Sequence, residues 1–492
     1  MVLRLLSRAS DLATLQARLV AAAIRARRPD VDVTLATQAS EGDRDRRVAL
    51  WEAADKGLFT TDLSQALVDG RADLVVHSWK DLPIASHPGT RVGATLERAD
   101  PRDVLLVRRE VVTARPTALT ILTSSPRRAW QIERSLTPLL PWPVATIDTV
   151  AVRGNIPTRV AKLVRGDGDA LVVAKAALDR LLSPASTHDV VHAIRASLDA
   201  CRWMVLPLEA FPTAPAQGAL AVEIADRDGD VARIVATIDH DPTRRAVIAE
   251  REILADAGGG CHEAIGATVC VREYGIVTSV RGKMPSGEER QVWSLDAPGE
   301  PWPRATSERI WPRREERDRA VRTKLPDATI PPDASAFWIA RADALPPSFT
   351  PSADHVAWTS GARTWAKLAQ RGIWVNGSAD GLGDSEQPNV DALAGRPLRW
   401  LRLTHADAGD PDALATYAVT HDLPADLPSR THFFWTSGRV FRDALQRFPA
   451  LRDARHASGP GRTAAVIRET LGPAAYRRVW LDYDQWLQTV LS

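Results

Sequence analysis

The strongest candidate for a chemically reactive residue is Cys261, which lies in the run Ala-Gly-Gly-Gly-Cys-His-Glu. The three glycines before it let the backbone turn sharply and let a bulky group approach the sulfur. The 492-residue chain has two other cysteines, Cys201 and Cys270, and this odd number without paired spacing disfavours a disulfide framework or a zinc site. A reducing cytoplasm is therefore the expected environment. The alternative interpretation is a buried structural cysteine on a glycine-rich turn.

Arginines recur inside short polar motifs of the first half, where guanidinium groups could bind carboxylates in bidentate fashion and stay charged. They are Arg8, Arg127, Arg128, Arg153 and Arg159, with Arg180 following a predicted strand. Several of them converging on one cleft would bind a polyanionic ligand. Most basic residues of this chain are arginines, so each of these could also be an ordinary surface residue, and its position within a motif is the distinguishing signal.

Two further motifs could act on such a ligand. The hydroxyl residues 123–125 precede Pro126 at the apparent start of a helix, where exposed amides and hydroxyls form an anion site or a plain N-cap. Asp81 follows Lys80 in His-Ser-Trp-Lys-Asp-Leu-Pro, and positive surroundings favour its ionised carboxylate. A fixed anion in a basic cleft could stabilise a transient cation, whereas the simpler alternative is a hydrogen-bonding residue in a turn.

These residues need a scaffold, and the first half alternates apolar strand-like runs with amphipathic helical stretches. Strands are predicted at 31–36, 72–77, 104–108 and 170–174, and helices at 12–25, 62–68, 126–135 and 156–164. Such alternation predicts α/β layers with a parallel or mixed sheet. Because the chemistry of such folds collects at the carboxyl ends of strands, His77, Lys80 and Asp81 should lie on a loop at the end of one strand.

Length and composition exclude several classes of function. A chain of 492 residues is expected to form about three to five domains, and its net charge of +2 gives no support for nucleic-acid or membrane-surface binding. No apolar stretch reaches the roughly 18 residues of a membrane-spanning helix, and residues 1–12 lack the apolar core of a signal peptide. We therefore expect a cytoplasmic protein without a metal, nucleic-acid or membrane partner.

The composition changes partway along the chain. Five of the 16 tryptophans lie before residue 290 and eleven after it, and residues 296–332 are dense in proline, arginine and glutamate. Proline punctuation with blocks of charge is typical of an exposed connector. We therefore predict two functional halves joined by a linker at 296–334, with the second half at 335–492.

Eight motifs of the first half carry a family resemblance. They are residues 3–13, 56–59, 77–83, 100–103, 123–128, 152–159 and 216–220, and then the glycine-rich turn at Cys261. In this order they resemble the hydroxymethylbilane synthase family, also called porphobilinogen deaminase, over residues 1–295. The resemblance implies two periplasmic-binding-protein-like α/β lobes and a small α+β domain that carries Cys261. It places the first lobe at 1–95 plus 195–218, the second at 96–194 and the small domain at 219–295.

The same resemblance implies a reaction and a site. The family condenses four porphobilinogen units, each with an acetate and a propionate group, into linear hydroxymethylbilane and releases ammonia each time. Asp81 would stabilise the cationic azafulvene left by loss of the amine, and Cys261 would hold a dipyrromethane cofactor through a thioether. The other cofactor-binding residues would be Lys80, Ser124, Arg127, Arg128, Arg153 and Arg159. The substrate-binding residues would be Arg8, Ser10, Lys56, Phe59, Ser78, Arg180 and Gln217.

Two similar phrases mark the second half, His-Val-Ala-Trp-Thr-Ser-Gly at 355–361 and His-Phe-Phe-Trp-Thr-Ser-Gly at 432–438. Each predicts a short strand that ends in Thr-Ser-Gly before a helix. The pattern, with Ser-Gly-Pro-Gly-Arg-Thr-Ala-Ala at 458–465, resembles a shortened uroporphyrinogen-III synthase. This implies two α/β lobes that cyclise hydroxymethylbilane to uroporphyrinogen III, with contacts from Thr359, Ser360, Thr436, Ser437, Gly461 and Thr463. The spacing Gly459-x-Gly461-x-x-Ala464 also fits a degenerate dinucleotide fingerprint, which would need a βαβ unit.

Three functions remain open. The first is a bifunctional enzyme of tetrapyrrole synthesis, a monomer that binds porphobilinogen and hydroxymethylbilane. The second is a deaminase whose C-terminal half is an inactive appendage. The third is a non-enzymatic ligand-binding protein with a two-lobed solute-binding fold, although such a receptor has no use for the Gly-Gly-Cys turn or for an aspartate after Lys80.

Overall fold

The computed structural model describes residues 1–38, 60–227, 229–258, 263–317, 321–325, 328–383, 386–406, 413–420, 423–472 and 477–491. Within these ranges strands and helices alternate in both halves, which confirms the predicted α/β class. No described helix is long and apolar enough to cross a membrane.

All eight strands and helices predicted in the first half are present, each within two residues of its predicted bounds. The strands are β1 (Val2–Arg8), β2 (Asp32–Gln38), β3 (Leu74–Ser78), β4 (Thr90–Thr95), β5 (Asp103–Arg108), β6 (Ala118–Leu122), β7 (Thr146–Val150), β8 (Ala170–Ala174), β9 (Cys201–Val205), β10 (Leu220–Ala225), β11 (Ile265–Arg272), β12 (Gly275–Lys283) and β13 (Glu289–Asp296). The helices are α1 (Asp11–Arg27), α2 (Thr61–Val68), α3 (Arg109–Ala114), α4 (Pro126–Ser135), α5 (Ile156–Arg165), α6 (Lys175–Leu181), α7 (His188–Asp199), α8 (Gly229–Ala236) and α9 (Asp241–Asp256).

Two five-stranded sheets of the same pattern form the two lobes of the first half. The first has the order β2-β1-β3-β10-β4 and the second the order β7-β6-β8-β5-β9. In each sheet three parallel strands are followed by one reversed strand, β10 or β5, that pairs antiparallel on both sides. Apolar residues of α1 and α8 pack on the first sheet.

The lobe boundaries differ from the predicted ones. The segment 195–218 was assigned to the first lobe, but β9 pairs with β5 in the second sheet. The segment 219–295 was assigned to the small domain, but β10 lies in the first sheet between β3 and β4. Both strands are short and apolar, so their sequences indicate that they are strands and do not indicate which sheet they join.

The small domain consists of α9 and the antiparallel sheet β11-β12-β13. Ala257, Ile265, Ala267 and Val280 form its buried core, and the end of α9 packs against them. The structure therefore confirms an α+β domain at this place in the chain, but one that starts at α9.

The second half contains two further sheets. Its strands are β14 (Ile310–Trp311), β15 (Val321–Lys324), β16 (Ala336–Ile339), β17 (Val356–Thr359), β18 (Gly377–Ser378), β19 (Trp400–His405), β20 (Ala413–Thr420), β21 (His432–Trp435), β22 (Arg455–Ser458) and β23 (Arg477–Val479). Its helices are α10 (Ala362–Gln370), α11 (Asp391–Ala394), α12 (Gly438–Arg447), α13 (Arg462–Leu471) and α14 (Tyr483–Leu491). A six-stranded sheet has the order β15-β20-β19-β16-β17-β18, and a four-stranded sheet has the order β14-β21-β22-β23.

The segment predicted as an exposed linker contributes to both of these sheets. β14 pairs with β21 in the four-stranded sheet, and β15 pairs with β20 in the six-stranded sheet. Ile310 of β14 is buried, with 1% of its surface exposed. The prediction of a plain linker at 296–334 was therefore wrong, because two- and four-residue strands are too short to show a hydrophobic period.

The two halves share apolar cores. Leu105 and Ile132 of the second lobe belong to one buried cluster with Phe337 and Trp365 of the second half. Trp365 also donates its indole N–H to the carbonyl of Leu139 at 3.0 Å. The second half is thus packed on the second lobe of the first half.

Candidate functional site

Lys80 and Asp81 lie where the sequence predicted, on a single 3-10 turn directly after β3. β3 is buried along most of its length in the middle of the first sheet. The next residue, Trp79, is also buried, and its amide donates to the carbonyl of Ala219 at 3.1 Å. This anchor holds Lys80 and Asp81 at the carboxyl end of the strand, the usual place of ligand-binding residues in α/β folds.

A hydrogen-bonded network joins Lys80 to the second lobe. Lys80 Nζ donates to Gln217 Oε1 at 3.1 Å, and Gln217 Nε2 donates to Asp103 Oδ1 at 2.8 Å. Asp103 is buried at the start of β5 and accepts two hydrogen bonds from Arg128, at 2.6 and 3.1 Å. Lys80, which follows β3 of the first sheet, is therefore connected to Arg128 of α4 through the Gln217 amide and the Asp103 carboxylate.

The charges of this group act on one another. Burial disfavours ionisation of Asp103, but the charges of Arg128 and Arg127, together with the hydrogen bonds from Arg128 and Gln217, outweigh burial and hold the pKa of that carboxyl below its usual range. Burial lowers the pKa of Lys80 to about 8, although Asp81 opposes the shift. Burial and the nearby Arg128 lower the pKa of Arg159 to about 10, and Asp81 again opposes the shift. Asp81 therefore lies within electrostatic range of two cationic side chains.

Arg127 has a different place from its neighbour. Its side chain is almost completely buried and donates to Asp103, to Gln131 and to the carbonyl of Pro212. Successive residues of a helix point about 100° apart, so Arg127 and Arg128 face different surroundings. The sequence predicted a cofactor contact for Arg127, whereas the structure places it as an internal brace between α4, β5 and the segment that precedes Gln217.

Four of the remaining predicted residues of this half make hydrogen bonds within the protein. Ser10 caps α1, Ser78 exchanges hydrogen bonds with Gln16, Ser124 Oγ donates to the carbonyl of Val152 at 2.6 Å, and Arg180 donates to the carbonyl of Gly218 at 2.7 Å. Arg8 and Arg153 are partly exposed. Cys261, Lys56 and Phe59 lie outside the described residues. Within the described ranges, no group of three or more His, Cys, Asp or Glu side chains could hold a metal ion.

Asp103 is the site residue that the sequence reasoning missed. It belongs to the motif Asp-Pro-Arg-Asp at 100–103, which carried the resemblance without any assigned role. The available signal was the adjacent pair Arg127 and Arg128 at a helix start, because buried guanidinium groups need a carboxylate as counter-ion.

The second half contains a cavity of about 630 Å³. Five arginines line it, Arg402 from β19 and Arg462, Arg468, Arg477 and Arg478 from the lobe of the four-stranded sheet. The cavity therefore lies between the two lobes of this half, and its arginines suit a ligand with several carboxylates. β22, α13 and β23 form a βαβ unit with parallel strands beside it, which is the unit that the dinucleotide fingerprint requires.

Of the six predicted contacts in this half, Gly461 lines the cavity, with φ of +106°. Thr463 lies in the first turn of α13, Thr436 is exposed before α12, and Ser437 is the N-cap of α12. Ser360 donates a hydrogen bond to the carbonyl of Ala340, and Thr359 is buried. The Thr359 hydroxyl donates to the carbonyls of Gly361 and Gly377. Of the six, only Gly461 therefore lines the cavity, and Thr359 is fully buried.

The fold and the site of the first half define a two-lobed α/β protein with a basic, carboxylate-containing site where its lobes meet. The family described as "Porphobilinogen deaminase, dipyromethane cofactor binding domain" matches residues 3–233. The chain is 40% identical to the porphobilinogen deaminase of Leifsonia xyli over 290 residues, which cover 58% of this chain and 80% of that protein. It is 39% identical to the enzyme of Sphingopyxis alaskensis, with 54% of this chain and 78% of that protein covered. The chain belongs to the porphobilinogen deaminase family.

Membership establishes a function in tetrapyrrole biosynthesis and a dipyrromethane cofactor for the family's domain. Among solved structures, the chain is similar to the periplasmic VFT2 domain of BvgS from Bordetella pertussis, at 11% identity and a TM-score of 0.27, over 50% of this chain and 92% of that one. The alignment to the Leifsonia enzyme leaves about two fifths of the chain unmatched.

Proposed function

We propose that the first half joins porphobilinogen units into hydroxymethylbilane, with Asp81 as the catalytic carboxylate. The supporting observation is the position of Asp81, at a strand end beside Lys80 and within electrostatic range of Arg159. The acid groups of each unit would pair with these cations, and the carboxylate would face the positive charge that develops when the amine leaves.

The residues present fit a dipyrromethane cofactor. Its two pyrroles bring four carboxylates, and Lys80, Arg128 and Arg159 offer cationic donors from both lobes. When bound, the cofactor supplies the end to which new units are joined. We propose Cys261 as its point of attachment; along the sequence it follows helix α9 and precedes strand β11, and both of these elements belong to the small domain.

Asp81→Asn tests the catalytic assignment. The amide keeps the shape of the side chain but removes its charge, so porphobilinogen consumption should fall by about a hundredfold or more while the fold is kept. Asp189→Asn, at a fully exposed position, is the matched control and should consume porphobilinogen at the wild-type rate. Near-normal consumption by Asp81→Asn would contradict the assignment.

We further propose that the second half cyclises hydroxymethylbilane to uroporphyrinogen III, in a cytoplasmic monomer. Two α/β lobes and an arginine-lined cavity between them support this proposal. Linear hydroxymethylbilane carries eight carboxylates on a flexible chain, and an enzyme that holds it folded would favour one mode of ring closure. The βαβ unit beside the cavity supports a dinucleotide as the second candidate ligand.

Isomer analysis of the full-length chain tests the second activity. Supplied with porphobilinogen, the wild type should give mainly isomer III, and the double variant Arg402→Gln, Arg462→Gln should give mainly isomer I at an unchanged rate of porphobilinogen consumption. These two arginines reach the cavity from opposite lobes. The control Arg442→Gln removes an exposed arginine of α12 and should keep isomer III. A wild type that gives mainly isomer I would favour the deaminase with an inactive appendage.

A further inference from the structure

The cavity of the second half is not built by the second half alone. Glu273 and Tyr274 form the turn between β11 and β12 in the small domain of the first half, and both line the cavity. Ala297 and Pro298, which follow β13, also line it. The domain that precedes the second half in the chain therefore supplies one wall of the cavity.

This β11–β12 turn is fixed to the second half by specific contacts. Tyr274 Oη donates to the carbonyl of Leu382 at 2.8 Å, and Arg272 pairs with both oxygens of Glu386 at 2.5 and 3.0 Å. Leu382 is buried in an apolar cluster with residues of the small domain, including Cys270. The turn is thus held in place by a neutral hydrogen bond, a bidentate ion pair and apolar packing.

The loop that accepts the Tyr274 hydrogen bond also packs against the Gly461 turn. Gly383 follows Leu382, and a side-chain carbon added at Gly383 would lie 3.0 Å from the backbone nitrogen of Gly461. The loop around Leu382 therefore lies against both the β11–β12 turn and the Gly461 turn, and these two turns line the cavity. A displacement of the β11–β12 turn would be transmitted to the Gly461 turn, because closely packed backbone leaves no room for independent movement.

The carboxylate of Glu273 forms an ion pair with Arg468, one of the arginines that line the cavity. Its Oε2 lies 3.6 Å from Nη1 of Arg468, and the two side chains are 91% and 56% exposed. Ion pairs this exposed are weak, so a ligand carboxylate can replace Glu273 at little cost. Glu273 thus occupies a position that an anionic ligand would use.

We propose that Glu273 and Tyr274 are specificity-determining residues of the second half's cavity. Tyr274 fixes one wall, and Glu273 covers Arg468 until the carboxylate of a tetrapyrrole takes its place. The inference rests on the proposed function for the class of ligand, an acidic tetrapyrrole. It adds that this ligand is recognised by a site composed of both halves of the chain.

The experiment measures binding of uroporphyrin I, a stable tetrapyrrole with eight carboxylates, to full-length variants by calorimetry. Glu273→Gln should tighten binding by about two- to fivefold, the effect of removing a weak competing ion pair. Tyr274→Phe should weaken binding, because the β11–β12 turn loses its hydrogen bond to Leu382. Glu288→Gln removes an equal, exposed charge from the turn between β12 and β13 of the same sheet and should bind like the wild type.

A double-mutant cycle locates the effect at the contact. In an Arg468→Gln background, Glu273→Gln should no longer change the affinity, because the two residues act through each other. An equal gain in Glu273→Gln and Glu288→Gln, or a gain that persists without Arg468, would overturn the inference. Isomer analysis distinguishes failure of this inference from failure of the proposed function. If the wild type makes isomer III but the cycle shows no coupling between Glu273 and Arg468, the proposed activity stands and the site composed of both halves is contradicted.

Discussion

The backbone amide of Val205 donates a hydrogen bond of 2.7 Å to the carbonyl oxygen of Asn376, and this bond joins the sheets of the two halves. The side chain of Asn376 reinforces the junction, since its amide donates to Trp203 at 3.0 Å and its oxygen accepts from the amide of Ala357 at 3.0 Å. Buried clusters on both faces contain residues of both halves. The halves should therefore unfold as one cooperative unit, and removing one of them would expose the core of the other.

Asn376→Ala should lower the free energy of unfolding by about 2 kcal/mol, because it leaves the buried amide of Ala357 without an acceptor and removes one donor to Trp203. Urea unfolding followed by tryptophan fluorescence and by porphobilinogen consumption measures the effect. Both signals should shift together to lower urea. As a control, Asn155→Ala removes the exposed N-cap of α5 and should lower the free energy of unfolding by about 1 kcal/mol at most. A consumption midpoint that stays at the wild-type value would show that the halves unfold independently.

Asp380 makes this junction sensitive to pH. Burial raises the pKa of its carboxyl to about 7, although Arg102 at 4.0 Å and the Ser378 hydroxyl oppose the shift. An aspartate of an unfolded chain titrates near pH 4, at about 3.9. Between about pH 4 and pH 7 the Asp380 carboxyl is therefore protonated in the folded state and ionised in the unfolded state. The stability contributed by Asp380 consequently falls as pH rises through that window.

Asp380→Asn should reduce this loss of stability. The neutral amide needs no proton, and asparagine tolerates the positive φ of 54° at this position. Urea midpoints at pH 5 and pH 7.5 should differ less in the variant than in the wild type, with the variant relatively more stable at the higher pH. Asp343→Asn, at an exposed position in the 3-10 turn Ala342–Ala344, should leave the wild-type difference unchanged. Equal differences in Asp380→Asn and wild type would contradict the raised pKa.

The sequence predicted the elements of the first half well because their signals are local. Pro126 at a helix start and the apolar run of β8 define their elements without help from the rest of the chain. The roles of Arg127 and Arg128 could not be predicted in the same way. The two residues are adjacent, identical in type and both paired with Asp103, and only the packing around α4 after folding, which brings Pro212 to Arg127, decides which of them is the more deeply buried.

The second half was less predictable for a related reason. Its strand-Thr-Ser-Gly-helix phrases gave β17 and β21 correctly, since each is a local pattern. Its cavity depends on Arg402 and Arg468, which are brought together only when two lobes close on each other, and on Glu273 from the preceding domain. No spacing along the chain contains that information.

Arg127→Leu and Arg128→Leu should separate the internal brace from the ligand-binding position. Both variants lose a guanidinium partner of the buried Asp103, so both should lower the free energy of unfolding by about 3 kcal/mol. Only Arg128→Leu should also lower porphobilinogen turnover per folded molecule, by about tenfold or more, since Arg128 lies within electrostatic range of both Lys80 and Arg159, whereas Arg127 interacts with Lys80 only. Turnover measured against the folded fraction decides this. Equal losses in the two variants would contradict the distinction.

Cys261 should carry the cofactor, and the two other cysteines serve as matched controls. Cys201 and Cys270 are buried; burial raises the pKa of the Cys201 thiol to about 11 and also raises that of Cys270. Because the thiolate is the reactive form, neither is suited to form a thioether. The intact mass of the wild type should exceed the sequence mass by one two-pyrrole adduct. Cys201→Ser and Cys270→Ser should keep the adduct, and Cys261→Ser should lose it together with porphobilinogen consumption. An unmodified wild type that consumes porphobilinogen, or an adduct retained in Cys261→Ser, would contradict the attachment.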